Sequence, residues 1–309
     1  MNGVDLFSGC GGMSLGFATA DIEILRAYEY WDEAISCYQR NFQHPIIKAD
    51  LSNYQEYIDE IAALTPDIIF GGPPCQDFSH AGNRVEGSNA DLTMAFANIV
   101  SSARPRWYVM ENVERSKKST AYGNARTILK EVGYGITEIV LDASLCGVPQ
   151  KRKRFFSIGA LGEEDDFLLS YLESNLSEKA VTVREYFGDE FAVEFYYRHP
   201  RNYSRRAIFS IDEPSPTVRG VNRPVPAGYP GHPNDPVELS FGVRELTTRE
   251  RASIQTFPDN FVFPSESKTT NEQLIGNAVP VNLANFVART VLSYNRLRWQ
   301  ENNQFTLAS

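Results

Sequence analysis

Cysteine is scarce in this chain, with four residues in 309 and no Cys-x-x-Cys spacing. Neither a disulfide framework nor a zinc ribbon is therefore expected to organise it. No apolar run approaches the length of a membrane span, and Met1-Asn2-Gly3-Val4 enters a strand at once, with no signal peptide in front of it. A cytoplasmic protein follows as the expectation. Positive charge is the minority, with 30 Lys and Arg against 39 Asp and Glu and a formal net charge of −9. On its face that counts against a polyanionic partner. Internal repeats and low-complexity tails are lacking as well, so solenoids and disordered tails are set aside. At 309 residues the chain is long for one compact core, and two domains are expected.

Within the first 160 or so residues, apolar runs near Val4, Ile24, Ile46, Ile68, Tyr108, Ile139 and Phe156 read as strands. Amphipathic helices are expected around Asp32 to Asn41, Tyr54 to Leu64 and Thr120 to Val132, with another helical stretch from Met13. Alternation of this kind predicts an α/β fold with a doubly wound sheet. From roughly 181 to 271 the texture turns irregular and rich in Pro and Gly, with no helical period, as in Pro224-Val225-Pro226-Ala227-Gly228-Tyr229-Pro230-Gly231. Helical spacing returns from Ala278 to Leu297.

Two stretches carry chemistry. Pro73-Pro74-Cys75-Gln76 follows the apolar run Ile68-Ile69-Phe70 and the pair Gly71-Gly72. A strand ending this way must leave its sheet abruptly and hold Cys75 on a stiff loop, which suits a nucleophile whose attack angle is fixed in advance. A turn carrying a buried cysteine fits the tetrad equally well. Nearer the N-terminus, Val4-Asp5-Leu6-Phe7 runs into Ser8-Gly9-Cys10-Gly11-Gly12 and then a helix. Such glycines allow positive φ and close approach of a ligand to the backbone. Glu29 ends the next apolar stretch, where doubly wound folds hold a ribose. The full Gly-x-Gly-x-x-Gly spacing for a pyrophosphate is missing, so an adenosine cofactor without phosphates fits better than a dinucleotide, and a hydride-transferring dehydrogenase falls well behind.

Six blocks in order then carry a family resemblance: Asp5 to Gly12, Gly72 to Ser79, Glu111-Asn112-Val113, Gln150 to Arg154, Arg244 to Glu250, and Gly276-Asn277-Ala278-Val279-Pro280. Together they span nearly the whole chain, and it resembles a cytosine-5 DNA methyltransferase of the prokaryotic modification type. The resemblance implies a Rossmann-like methyltransferase sheet with a smaller, irregular target-recognition domain. It divides the chain into a catalytic and cofactor-binding domain (1–180), a target-recognition domain (181–271) and a C-terminal segment (272–309) that returns to the first. It implies S-adenosylmethionine as cofactor, held by Phe7, Gly9, Gly11, Gly12, Glu29, Asp50, Leu51, Gly72, Pro74, Asn277 and Val279. Phe7 would stack beside adenine, Glu29 would take the ribose hydroxyls and Asp50 the adenine amine. On local grounds Asp50 is equally a helix cap.

The implied catalytic residues are Cys75, Glu111, Arg152 and Arg154. Carbon 5 of cytosine is a poor nucleophile until an electron-rich group adds at carbon 6, which is the task for Cys75. A thiol near its usual pKa of about 8.5 gains from positive neighbours such as Arg152 and Arg154. Glu111 would hold ring nitrogen 3 and the exocyclic amine. By residue count alone it caps the next turn, or Asn112 does. If a strand begins at residue 152, Arg152 and Arg154 share one face and Lys151 and Lys153 the other. Such a run is otherwise a solvated basic patch.

Local charge tempers the global deficit. Between Tyr196 and His232, Arg198, Arg201, Arg205, Arg206, Arg219 and Arg223 face only Asp212 and Glu213, a footprint suited to DNA if it is not a solvated surface. The DNA-contacting residues expected are Ser79, Arg84, Arg201, Arg205, Arg206, Arg219 and Arg223. The target cytosine would be flipped from a short specific duplex site while the loop from Ser79 to Asp91 closes over it. The family's usual arginine near the end of that loop is absent, and Tyr30-Trp31-Asp32 holds one residue more than the usual pattern. The expected partners are double-stranded DNA and a separately acting restriction endonuclease, with the enzyme a monomer. Cytosine-5 methylation of transfer RNA and a catalytically inactive DNA-binding homologue are the alternatives.

Overall fold

The computed structural model describes residues 1–74, 88–202 and 204–307, with backbone alone for 88–91 and 301–307. Cys75, Ser79 and Arg84 lie outside the described residues. The described strands are β1 (Asn2–Leu6), β2 (Glu23–Glu29), β3 (Ile46–Lys48), β4 (Ile68–Gly71), β5 (Trp107–Asn112), β6 (Tyr134–Asp142), β7 (Gln150–Lys151), β8 (Lys153–Leu161), β9 (Phe195–Tyr197), β10 (Ile208–Ser210), β11 (Ser215–Pro216) and β12 (Arg244–Glu245). The α-helices are α1 (Gly12–Ala18), α2 (Asp32–Asn41), α3 (Ile58–Ala63), α4 (Ser88–Ala103), α5 (Thr120–Val132), α6 (Leu169–Ser174), α7 (Val183–Phe187), α8 (Thr248–Ile254), α9 (Lys268–Asn277) and α10 (Val281–Leu307). None is long and apolar enough to cross a membrane.

The seven expected strands build one sheet in the order β3-β2-β1-β4-β5-β8-β6. β8 runs antiparallel to both of its neighbours, and the other pairs are parallel. Both faces are covered, which is why the strands read as nearly continuous apolar runs. Ile68, Phe70, Trp107, Val109, Phe156 and Ile158 pack toward α1, α6 and α10. Their strand neighbours Ile69, Tyr108, Met110 and Phe155 pack toward α3, α4 and α5. The alternation follows from the two-residue period of a strand. Gly71 permits the central contact, since a Cβ there would lie 1.9 Å from Leu6 O.

Three helical expectations meet different outcomes. α2 and α5 form as expected, whereas Tyr54 to Leu64 splits at Tyr57 into a 3₁₀ turn (Leu51–Glu56) and α3. α4 begins at Ser88, inside the segment read as loop to Asp91. Irregular texture between 181 and 271 hides α7, α8 and the start of α9. α7 and α8 each begin with a capping box, Thr182 with Glu185 and Thr247 with Glu250. The Thr-x-x-Glu spacing was the available signal. Elsewhere in this stretch β10, β9 and β12 form a small sheet, and β11 pairs in parallel with β7. A buried apolar group joins Tyr196, Val218, Leu246, Phe257 and Leu274 to Cys10, Ala34 and Cys37.

Candidate active site

Sheet order reverses between β1 and β4, the place where open α/β sheets leave a crevice at the carboxyl ends of their strands. Register fixes what lines it. Leu6 pairs with Tyr28 and Gly71, and Gly71 with Met110. One residue further along, Phe7, Glu29, Gly72 and Glu111 therefore stand in a row at the same edge.

On the β1 side the chain turns sharply. Phe7, Gly9 and Gly11 have φ of 58°, 55° and 96°. Positive φ at a phenylalanine is strained and persists only where the surroundings enforce it. Glu29 ends β2 and accepts the Gly9 N–H at 2.7 Å through Oε2, and the Tyr30 and Trp31 N–H groups at 2.8 and 2.9 Å through Oε1. The extra residue before α2 is thus absorbed in a turn that folds back on Glu29. Asp50 accepts the Ser52 N–H at 3.0 Å, so its capping role is realised, and Leu51 beside it is buried. Nothing among the described residues lies within 4 Å of a Cβ built on Gly9. Open backbone flanked by two carboxylates suits hydroxyl and amine donors and opposes a pyrophosphate. The residues therefore fit an adenosine-type group. Asn277 is exposed at the end of α9, and Val279 crosses Gly12, where a Cβ would sit 2.3 Å from Val279 O. Gly12→Ala is expected to push this crossing apart and weaken cofactor binding about tenfold or more, read by calorimetric titration beside a melting curve.

Asp5 went unassigned in the sequence. It is fully buried, accepting the Ser14 hydroxyl at 2.6 Å, and Ser14 meets Tyr38 Oη at 2.6 Å, which meets His44 Nε2 at 2.6 Å. Burial pushes its carboxyl well above the ordinary range, against the lowering effect of the Ser14 bond. This chain of bonds ties β1 to α1 and α2. A carboxylate inside an apolar strand was the signal available.

On the β5 side Glu111 is 7% exposed, with Oε1 2.8 Å from Arg154 Nε. A Cβ at Gly72 would approach Glu111 Oε2 to 3.0 Å. Burial raises the Glu111 pKa, and Arg154 and then Arg152 oppose the rise. Asn112 is buried, donating its amide to Pro73 O at 3.2 Å and accepting the Val113 N–H at 2.8 Å. It holds the strand exit that leads toward Cys75, in place of a simple cap. Pro74, half-buried, is the last described residue before Cys75.

The two arginines do not act alike. Arg154 reaches Glu111, whereas Arg152, 1% exposed between β7 and β8, donates to the carbonyls of Val218, Gly276 and Ala278 at 2.9, 3.0 and 3.0 Å. Lys151 and Lys153 are exposed, as the alternation requires. Gln150 and Gln255, both fully buried, extend this frame: Gln150 Nε2 donates to Gln255 Oε1 at 2.7 Å, and Gln255 Nε2 donates to Ile275 O and Ala278 O. Arg152→Met is expected to leave the buried Val218 and Gly276 carbonyls short of a donor, and the Ala278 carbonyl with Gln255 alone, and to cost about 3 kcal/mol, measured by denaturant unfolding. Stability within about 0.5 kcal/mol of wild type would contradict that role.

Among the other expected arginines, Arg206 is paired with Glu213 and lies over the Phe209 ring at 4.4 Å, so its charge is met within the chain. Arg201, Arg205 and Arg223 are exposed, and Arg219 is half-buried.

Comparison with known proteins accords with this geometry. Residues 1–293 match the family model of the C-5 cytosine-specific DNA methylases. Type II methyltransferase M.HindV of Haemophilus influenzae is 56% identical over 299 residues, covering 96% of this chain and 98% of its own. Type II methyltransferase M.HgiDI of Herpetosiphon aurantiacus is 51% identical over 303 residues, covering 97% of each chain. The crystal structure of the S. pombe Dnmt2 methyltransferase superposes with a TM-score of 0.70 at 17% identity, covering 96% of this chain and 99% of that one, a likeness of fold. With the model spanning most of its length, the chain belongs to the C-5 cytosine-specific DNA methylase family, and its activity is methylation of DNA cytosine at carbon 5.

Proposed function

We propose that this enzyme methylates a cytosine within a short, specific duplex site by adding Cys75 covalently to the flipped base. The Glu111–Arg154 pair carries the reading: a buried carboxyl stands at the sheet edge beside Gly72, at the start of the segment leading to Cys75. S-adenosylmethionine supplies an electrophilic methyl group when bound, held by Phe7, Gly9, Gly11, Gly12, Glu29, Asp50, Leu51, Gly72, Pro74, Asn277 and Val279. The Cys75 thiolate adds to carbon 6 while the Glu111 carboxyl gives its proton to ring nitrogen 3, making carbon 5 nucleophilic. Arg154 holds Glu111 in place, and Arg152 fixes the frame behind it. Once solvent water takes the carbon 5 proton, the sulfur departs as thiolate, nitrogen 3 returns its proton to the Glu111 carboxylate, and aromaticity returns. Extrusion of the base costs a few kcal/mol, offset by contacts in the pocket.

Residues 1–180 with 272–309 form the catalytic part in this reading, and 181–271 the part that reads DNA. In this reading the protein is a stand-alone modification enzyme, monomeric and cytoplasmic, with any restriction endonuclease acting separately; the relatives' Type II methyltransferase names support the modification role alone. Methylating plasmid DNA and transfer RNA side by side with labelled cofactor, then mapping products by bisulfite sequencing, tests the reading. Label on one recurring duplex site is expected. Label confined to transfer RNA would overturn it.

A further inference from the structure

Four guanidinium groups, those of Arg198, Arg201, Arg219 and Arg223, gather beside β9, and none has a carboxylate within 4.0 Å among the described residues. Nearby, Arg251 is neutralised by Glu272, Arg244 by Glu250 and Arg206 by Glu213. Burial and mutual repulsion hold Arg198 and Arg219 below the ordinary arginine range. So much uncompensated charge beside the catalytic frame calls for an anionic or electron-rich partner, and the members differ in how firmly they are held.

Arg219 is anchored on every side. The preceding Val218 donates its N–H to Gln150 Oε1 at 2.8 Å and gives its carbonyl to Arg152. Its own carbonyl accepts from Arg251, and its guanidinium donates to His199 O. The following Gly220 lies so close to α9 that a Cβ on Gly276 would sit 2.1 Å from its nitrogen. Arg201 and Arg223, by contrast, are exposed, with no bond from either guanidinium to a described residue. Direct readout of a base demands a side chain fixed in place, whereas a phosphate contact tolerates a mobile one. With one donor spent on His199, an edge of the Arg219 fork still offers two parallel N–H groups, the pattern that matches O6 and N7 of guanine.

We infer that Arg219 reads a guanine in the target duplex, while Arg201 and Arg223 contact its phosphates. The inference rests on the duplex reading given above and assigns roles within it. The test methylates a randomised duplex library with wild type and the variants R219A, R219K, R201A and R223A, sequencing the products and titrating binding against salt. R219K keeps the stem and the charge while losing the fork, so it separates readout from folding. Both Arg219 variants are expected to relax selection at one position of the site about ten- to hundredfold, leaving the others intact. R201A and R223A are expected to keep the site and to lower the salt slope by about one each. A wild type with a defined site beside an R219K with the same selectivity would overturn the assignment alone. A wild type that labels no duplex would sink the underlying reading, and the assignment with it.

Discussion

Replacing Cys75 with alanine is expected to lower methyl transfer by about 10⁴-fold or more, to background, while duplex binding survives. None of the described cysteines can take over: Cys10, Cys37 and Cys146 are buried, and burial raises the Cys146 thiol to about 12. In the proposed reading the duplex is held through the arginine-bearing segment, so affinity and turnover are expected to separate in this variant. A duplex with 5-fluorocytosine at the target position gives the sharper measurement. Fluorine cannot leave as the carbon 5 proton does, so the wild-type enzyme should stop as a covalent adduct, visible as a mass shift on the Cys75 peptide. Transfer that persists in the alanine variant, or a wild type that forms no adduct, would remove the covalent step.

Glu111→Gln is expected to cost about 10²- to 10⁴-fold in turnover, since glutamine occupies the same space but has no acidic proton to deliver. Burial raises the native pKa of Glu111 against the pull of Arg154 and Arg152. The native carboxyl therefore holds its proton to higher pH than an ordinary glutamate. Any stability that this proton contributes is present at low pH and is lost as pH rises through the native pKa. Turnover limited by the acid should fall in the same window, and a pH–rate profile of the glutamine variant should lack that fall. Equal profiles in the two enzymes would rule out Glu111 as the proton donor.

Alternating apolar runs predicted all seven strands of the main sheet, because a strand buried on both faces must be apolar throughout. Glu29 and Glu111 were legible as carboxylates ending such runs. Asp5 showed only as a carboxylate inside an apolar strand, and the parts played by Asn112 and Gln255 were not legible, since a buried polar residue resembles a surface one until its partners from distant segments are known. Arg152 shows the same limit. Its spacing from Arg154 suggested a shared face, yet its partners, Val218, Gly276 and Ala278, lie 66 or more residues away.

Residue order by itself determined the sheet, the glycine loop and the ordered blocks of the family, because these depend on local periodicity and backbone freedom. Tertiary structure alone decided which arginine meets Glu111, which one fastens the frame, and which stands anchored beside β9. Those roles depend on burial and on hydrogen bonds between segments far apart in the chain, and no local spacing encodes them.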